Sequence, residues 1–186
     1  DQRRFLAAML RRTVCRTQSQ TLSPHPRQAE FLTLGCEEGL YGGAGGGGKT
    51  WALLQWLGQG ADVPGYSGIF FRRTYPQLSR SNDSPISQSH EIYKPLGGAY
   101  SATNHTWTFP SGAKIEFGHL QYETSVYDYQ GPAYHRVAFD ELTQFSEDQY
   151  LYLFSRMRRR RDFPIACGVR AATNPGGLGH AWVKQR

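Results

Sequence analysis

Gly43-Ala44-Gly45-Gly46-Gly47-Gly48-Lys49-Thr50 is a glycine-rich run that closes on Lys-Thr. It fits G-x-x-x-x-G-K-[S/T], a loop whose successive backbone N–H groups wrap phosphate oxygens. Glycine lets such a loop turn tightly and keeps Cβ atoms from standing between backbone and anion. Lys49 is expected to reach the β- and γ-phosphates, and the Thr50 hydroxyl to ligate Mg²⁺. A helix starting near Lys49 would aim its positive dipole end at the same anion. The loop therefore predicts ATP and Mg²⁺ as ligands, with Gly43, Ala44, Gly45, Gly46, Gly47, Gly48, Lys49 and Thr50 as the binding residues. The plain alternative is a flexible glycine linker that precedes Lys-Thr.

Working outward, Leu40-Tyr41-Gly42 reads as the end of a strand that delivers the loop. Residues 49–59 repeat apolar side chains at helical spacing, and Gly58 and Gly60 end the run. Residues 68–72 (GIFFR) form a compact apolar run, expected as a buried strand. Residues 79–90 are rich in Ser, Asn, Asp and Pro and read as a loop. Residues 106–109 and 113–117 alternate about Pro110-Ser111-Gly112, a hairpin pattern. Residues 136–139 (RVAF) predict another buried strand. Ser146 is a good N-cap for a helix running to about residue 157. Residues 166–172 predict a last strand, followed by a turn at 173–177. Strands alternating with helices indicate an α/β fold, with a mostly parallel central sheet and helices on both faces.

In an open α/β sheet ligands gather at the carboxyl ends of the strands. Asp140-Glu141 follows the 136–139 strand directly. Asp140 is thus the expected Mg²⁺-side carboxylate, and Glu141 the group that polarises an attacking water. An acidic helix cap after a strand would look the same in isolation. Thr173 and Asn174 follow the last strand and would be candidates to sense the γ-phosphate, the alternative being an ordinary Asn-Pro turn.

Composition limits the remaining choices. The 186 residues, 39% hydrophobic and 19% charged, suffice for one domain with a core and exclude a disordered chain. No apolar run approaches the ~20 residues of a membrane span, so no membrane partner is expected, and the start lacks the apolar stretch of a signal peptide. Three widely spaced cysteines show no metal or disulfide pattern and read as reduced thiols of an intracellular protein. The net charge of +6 favours a polyanionic partner. Residues 1–22, with Arg3, Arg4, Arg11, Arg12 and Arg16, are set apart as a basic N-terminal arm or helix, and 23–186 as the P-loop domain.

Taken as an ordered set, the motifs resemble the ATPase domain of the large terminase subunit, the DNA-packaging motor of tailed double-stranded DNA phages. The residues that carry the resemblance are 25–32 (HPRQAEFL), 41–50, 71–78 (FRRTYPQL), 129–131 (YQG), 139–145 (FDELTQF), 173–177 (TNPGG) and 179–182 (GHAW). The resemblance implies that Gln28 reads adenine and that Thr173-Asn174-Pro175 couples hydrolysis to DNA movement. It also implies double-stranded DNA, a portal protein and a small terminase subunit as partners, a pentameric ring in the working motor, and the host cell cytoplasm as location. Where many terminases have an arginine before the glycine matching Gly131, this chain has Gln130. A charge-stabilising arginine is then expected elsewhere: Arg158 first, Arg156 second, with Arg72 and Arg73 as alternatives. The run 158–161 reads equally as a solvated basic turn or a DNA-backbone contact. The C-terminal nuclease domain of large terminases has no counterpart in these residues, so no DNA cleavage is expected of them.

These readings converge on a Mg²⁺-dependent P-loop ATPase that moves double-stranded DNA into a procapsid. Two other readings fit less of the sequence. A helicase-like P-loop motor should carry a second motor domain or its own DNA-contacting motifs. A nucleotide- or DNA-binding module with lapsed hydrolysis should have lost one of Lys49, Thr50, Asp140 or Glu141.

Overall fold

Ser67–Arg72 (β2, SGIFFR) is buried along its middle, and a strand apolar on both faces needs cover on both. The computed structural model, which describes residues 23–158 and 162–186, supplies that cover. The basic segment 1–22 and Arg159, Arg160 and Arg161 lie outside the described residues. β1 (Glu38–Gly42), β2, β5 (Lys114–His119), β6 (Arg136–Asp140) and β7 (Gly168–Thr173) run parallel in the order β1-β7-β6-β2-β5. β4 (Thr106–Thr108) and β3 (Ala99–Ser101) continue the sheet antiparallel beyond β5.

Side chains alternate between two cores, as a period of two requires. Phe70, Ala138 and Ala172 join Phe31, Leu53, Leu57, Tyr93 and Trp107 on one face. That face is covered by α1 (Pro26–Thr33), α2 (Lys49–Gly58) and α4 (Pro85–Tyr93). Ile69, Phe71, Val137, Phe139, Val169 and Ala171 join Phe145, Tyr150 and Leu153 on the other, beneath α5 (Glu147–Phe154). Each large side chain fully buried this way contributes about 1.5–3 kcal/mol, so the sheet is held from both sides. β6 and β7 are buried at every residue, which fixes the strand ends that matter most below.

One local expectation is corrected, and three short elements are added. The segment read as a loop over 79–90 is helical from Pro85 on, since Ser84 Oγ accepts from Ser87 N (3.3 Å) and Pro85 takes the first helical position, where its missing N–H costs nothing. Tyr75–Ser79 (α3) and His180–Gln185 (α6) are short helices that apolar spacing did not signal. β3 is a third strand of the hairpin region, too short to show a pattern. The helix expected after Ser146 is present: Ser146 Oγ accepts from Gln149 N (3.2 Å), and the helix ends at Phe154 rather than near 157.

Candidate functional site

The parallel strands all release their chains at one edge of the sheet. β1 gives way to the glycine loop, β2 ends at Arg72, β6 at Asp140 and β7 at Thr173. Residues far apart in sequence therefore meet there because of topology.

Gly43, Gly46 and Gly48 adopt positive φ of 144°, 80° and 63°, conformations that favour glycine. Gly48 is additionally close to α1: a Cβ there would stand 2.4 Å from Gln28 Nε2. Space lies open over Gly43, Gly45 and Gly46, so the loop forms a cradle floored by backbone. Buried Lys49 opens α2, and its Nζ donates to the carbonyls of Gly43 (3.1 Å) and Ala44 (2.7 Å) and to Asn174 Oδ1 (2.9 Å). A buried ammonium needs such acceptors, and these hold the loop folded around it. Gln28, also buried, accepts from His25 N (2.8 Å) and donates to Gly48 O (3.1 Å), which ties α1 to the loop.

Asp140 is 1% exposed. Its Oδ2 accepts from Thr50 Oγ1 at 2.7 Å and pairs with Arg72 Nη2 at 2.6 Å. Its Oδ1 accepts from Glu141 N at 3.2 Å. Glu141 then turns into the left-handed region, φ 58° and ψ 54°, a conformation that costs a non-glycine residue about 1–2 kcal/mol. The turn aims its carboxylate at Asn174 Nδ2, which donates at 3.2 and 3.5 Å. Asn174 thus bridges Lys49 and Glu141.

Thr50 and Asp140 offer a hydroxyl and a carboxylate on adjoining elements, the hard-oxygen donors Mg²⁺ takes, with its remaining positions left to phosphates and water. No group of three or more His, Cys, Asp or Glu that could hold a metal is found among the described residues. The Thr50–Asp140 donor set fits a Mg²⁺ that arrives with nucleotide.

Thr173 does not join this cluster. Its hydroxyl pairs with Thr143 Oγ1 at 3.0 Å and lies near the Thr143 N–H at 3.4 Å, so it fastens β7 to the turn after Asp140 while Asn174 alone faces Lys49. The structure sets the candidate arginines in different places. Arg158 is exposed, with its backbone N on Tyr134 O (3.2 Å), and Arg156 lies over the Tyr152 ring (5.0 Å) with Nη1 3.4 Å from Gln130 O. Tyr134 precedes β6 whereas Asp140 ends it, and the six residue steps between them span on the order of 20 Å of extended chain. The geometry therefore keeps Arg158 and Arg156 away from this chain's own loop. Arg72 is the arginine in contact with Asp140, while Arg73 turns to Gln149 Oε1 (2.7 Å). The signal for Arg72 was present in the sequence: it closes an apolar run just as Asp140 does.

Comparison with known proteins gives the family and the fold. Residues 40–176 match the family described as terminase large subunit, T4-like-virus type, N-terminal. Among solved structures, the large terminase of bacteriophage HK97 superposes with a TM-score of 0.68 at 12% identity, covering 97% of this chain and 40% of that one. The large terminase ATPase domain of Thermus phage P74-26 does so at 0.57 and 15% identity, covering 83% and 66%. A large terminase of a thermophilic bacteriophage in complex with ADP gives 0.57 and 16%, covering 80% and 38%. The chain thus spans about two fifths of the HK97 protein. No curated protein matches the sequence.

Proposed function

Since this chain belongs to the T4-like-virus-type large terminase subunits, matching their N-terminal region, we propose that it hydrolyses ATP to drive double-stranded DNA into a procapsid. The observation that carries the reading is the 2.7 Å contact between Thr50 Oγ1 and Asp140 Oδ2. It joins the phosphate loop to the acidic strand end, and these are the two residues that would hold a nucleotide-bound cation. When bound, Mg²⁺ would neutralise charge on the β- and γ-phosphates.

The loop N–H groups and the start of α2 hold the phosphates, and Gln28 reads adenine. Lys49 exchanges its loop carbonyls for phosphate oxygens. Glu141 orients a water for in-line attack on the γ-phosphorus and accepts its proton, giving ADP and phosphate. Asn174 fixes the Glu141 carboxylate before substrate arrives and reports the loss of the γ-phosphate through Lys49. Thr173 holds the turn after Asp140 in register.

In the working motor we place five copies in a ring on a portal protein, with the small terminase subunit as accessory and the host cytoplasm as compartment. A neighbouring copy would supply the arginine that completes the phosphate site. What supports Arg156 over Arg158 is its contact with the Gln130 carbonyl, where the resembling proteins carry an arginine.

Phosphate release and ATP binding by three proteins test the reading. Wild type should hydrolyse. Glu141→Gln should bind ATP but turn over about 10²–10⁴-fold more slowly. Lys49→Ala should bind no nucleotide. Undiminished turnover in Glu141→Gln would remove Glu141 as the base. Packaging into portal-bearing procapsids tests the DNA step, and a wild type that hydrolyses ATP yet never supports packaging would remove it.

A further inference from the structure

Asp140 already has a cation. We infer that Arg72 is the counter-ion of Asp140 in the nucleotide-free site and that Mg²⁺ arriving with nucleotide must displace it, so that Arg72 sets the metal requirement for binding. The inference rests on the proposed function only in taking this site to receive a Mg²⁺–nucleotide.

Three observations carry it. First, Oδ2 is doubly engaged, by Thr50 Oγ1 at 2.7 Å and Arg72 Nη2 at 2.6 Å. That oxygen faces Thr50, so a metal touching both donors must come to the same side. Second, Arg72 holds Asp140 from one direction only. Its Nε is buried yet meets no acceptor among the described residues, and its side chain is 17% exposed against 2% for Asp140. A guanidinium with an unused donor and a path to solvent loses less by moving than the buried carboxylate would. Third, two cations cannot stand on one buried oxygen: like charges a few ångströms apart repel strongly where water is excluded. Arg72 also closes β2, and Arg73 beside it binds Gln149 Oε1 (2.7 Å) and Glu123 (3.9 Å).

Binding of a fluorescent ADP analogue to the full chain, with Mg²⁺ titrated from zero, tests this. In wild type Mg²⁺ has to compete with Arg72. In Arg72→Gln the Mg²⁺ concentration at half-maximal binding should fall about tenfold, the scale of coupling between ligands that exclude each other. Binding without Mg²⁺, in EDTA, should change much less. Arg72→Lys, which keeps the charge but not the planar fork, should lie between the two and serves if Arg72→Gln does not fold. An unchanged or raised Mg²⁺ midpoint in Arg72→Gln, or in Arg72→Lys where that variant stands in, would overturn the inference while leaving nucleotide binding intact. A wild type that binds the analogue at no Mg²⁺ concentration would take down the functional reading and this inference together.

Discussion

The two ends of the parallel sheet each hold arginine, and they use it in opposite ways. At the carboxyl edge Arg72 meets a carboxylate, Asp140, at 2.6 Å. At the amino edge Arg136 meets no carboxylate among the described residues. Its Nη1 donates to the Trp56 carbonyl and to Gln59 Oε1 (2.9 Å), and the guanidinium stacks 4.5 Å from the Trp56 ring. Trp56 lies in the last turn of α2, so Arg136 caps the negative end of the helix whose positive end opens the phosphate loop. Burial lowers its pKa to about 10, which still leaves it charged at neutral pH. Arg170 flanks the same ring at 5.1 Å and donates to the carbonyls of Leu34 (2.8 Å) and Cys36 (3.0 Å). One end thus holds a cation against a group that a metal can claim. The other holds two against backbone carbonyls that nothing replaces. Chemistry is expected where the partner is exchangeable, and rigidity where it is not.

Arg136→Met should break the fixed end. It removes the donor that Arg136 gives to the Trp56 carbonyl and to Gln59 Oε1 in the core, where a lost partner costs about 1–3 kcal/mol. Denaturant unfolding should show a loss of about 2–4 kcal/mol, while ADP affinity at a temperature where the variant is folded stays near wild type. A variant that unfolds normally but binds ADP poorly would mean that the two ends are not separable in this way. Asn174→Ala should do the reverse. With the bridge between Lys49 and Glu141 gone, turnover should fall by about 10–10²-fold, the scale for general base catalysis that is partly lost. The melting temperature should barely move. Thr143→Val should fall between these two cases. It removes a hydroxyl pair with Thr173 at 3.0 Å, worth about 1 kcal/mol of stability, with a smaller effect on turnover than Asn174→Ala.

The exchangeable end was largely legible in the sequence, and the fixed end was not. Glycine, lysine and acidic residues that close apolar runs are local signals. Parallel topology then brings the loop, Asp140 and Asn174 to one edge without further information. Arg136 opens its strand in the run RVAF, and nothing in that run says that the arginine turns inward to a helix C-terminus on the opposite side of the sequence. Its partner Trp56 reads as one more apolar position of a helix. The position of Arg158 was hidden for a related reason. Sequence marks a basic run but not which end of β6 it returns to, and the parallel bridge between Tyr134 and Met157 fixes that. Pro85 shows how one residue supports two readings, since proline both breaks a helix and starts one.

The smallest effect concerns a half-buried acid that neither end uses. Glu116, on β5, accepts a hydrogen bond from the Tyr134 hydroxyl at 2.9 Å. Burial raises its pKa above the ordinary carboxylate value, and the bond from Tyr134 opposes this only in part. A carboxyl with a raised folded-state pKa binds its proton more tightly in the native chain than in the unfolded one. The stability it contributes is complete below the unfolded-state pKa. It is lost as pH climbs from there through the raised folded value, after which stability is flat in this group. Glu116→Gln keeps an acceptor for Tyr134 but cannot ionise. Thermal melts of both proteins between pH 4 and pH 7 should therefore converge at the acid end and separate toward neutrality, with the Gln variant the more stable. Because Tyr134 lies at the amino edge, next to Arg136, the same substitution should leave the Mg²⁺ midpoint for ADP unchanged. A shift in that midpoint would show the two edges to be coupled through β5 and β6, and would undo the division between a fixed end and an exchangeable one.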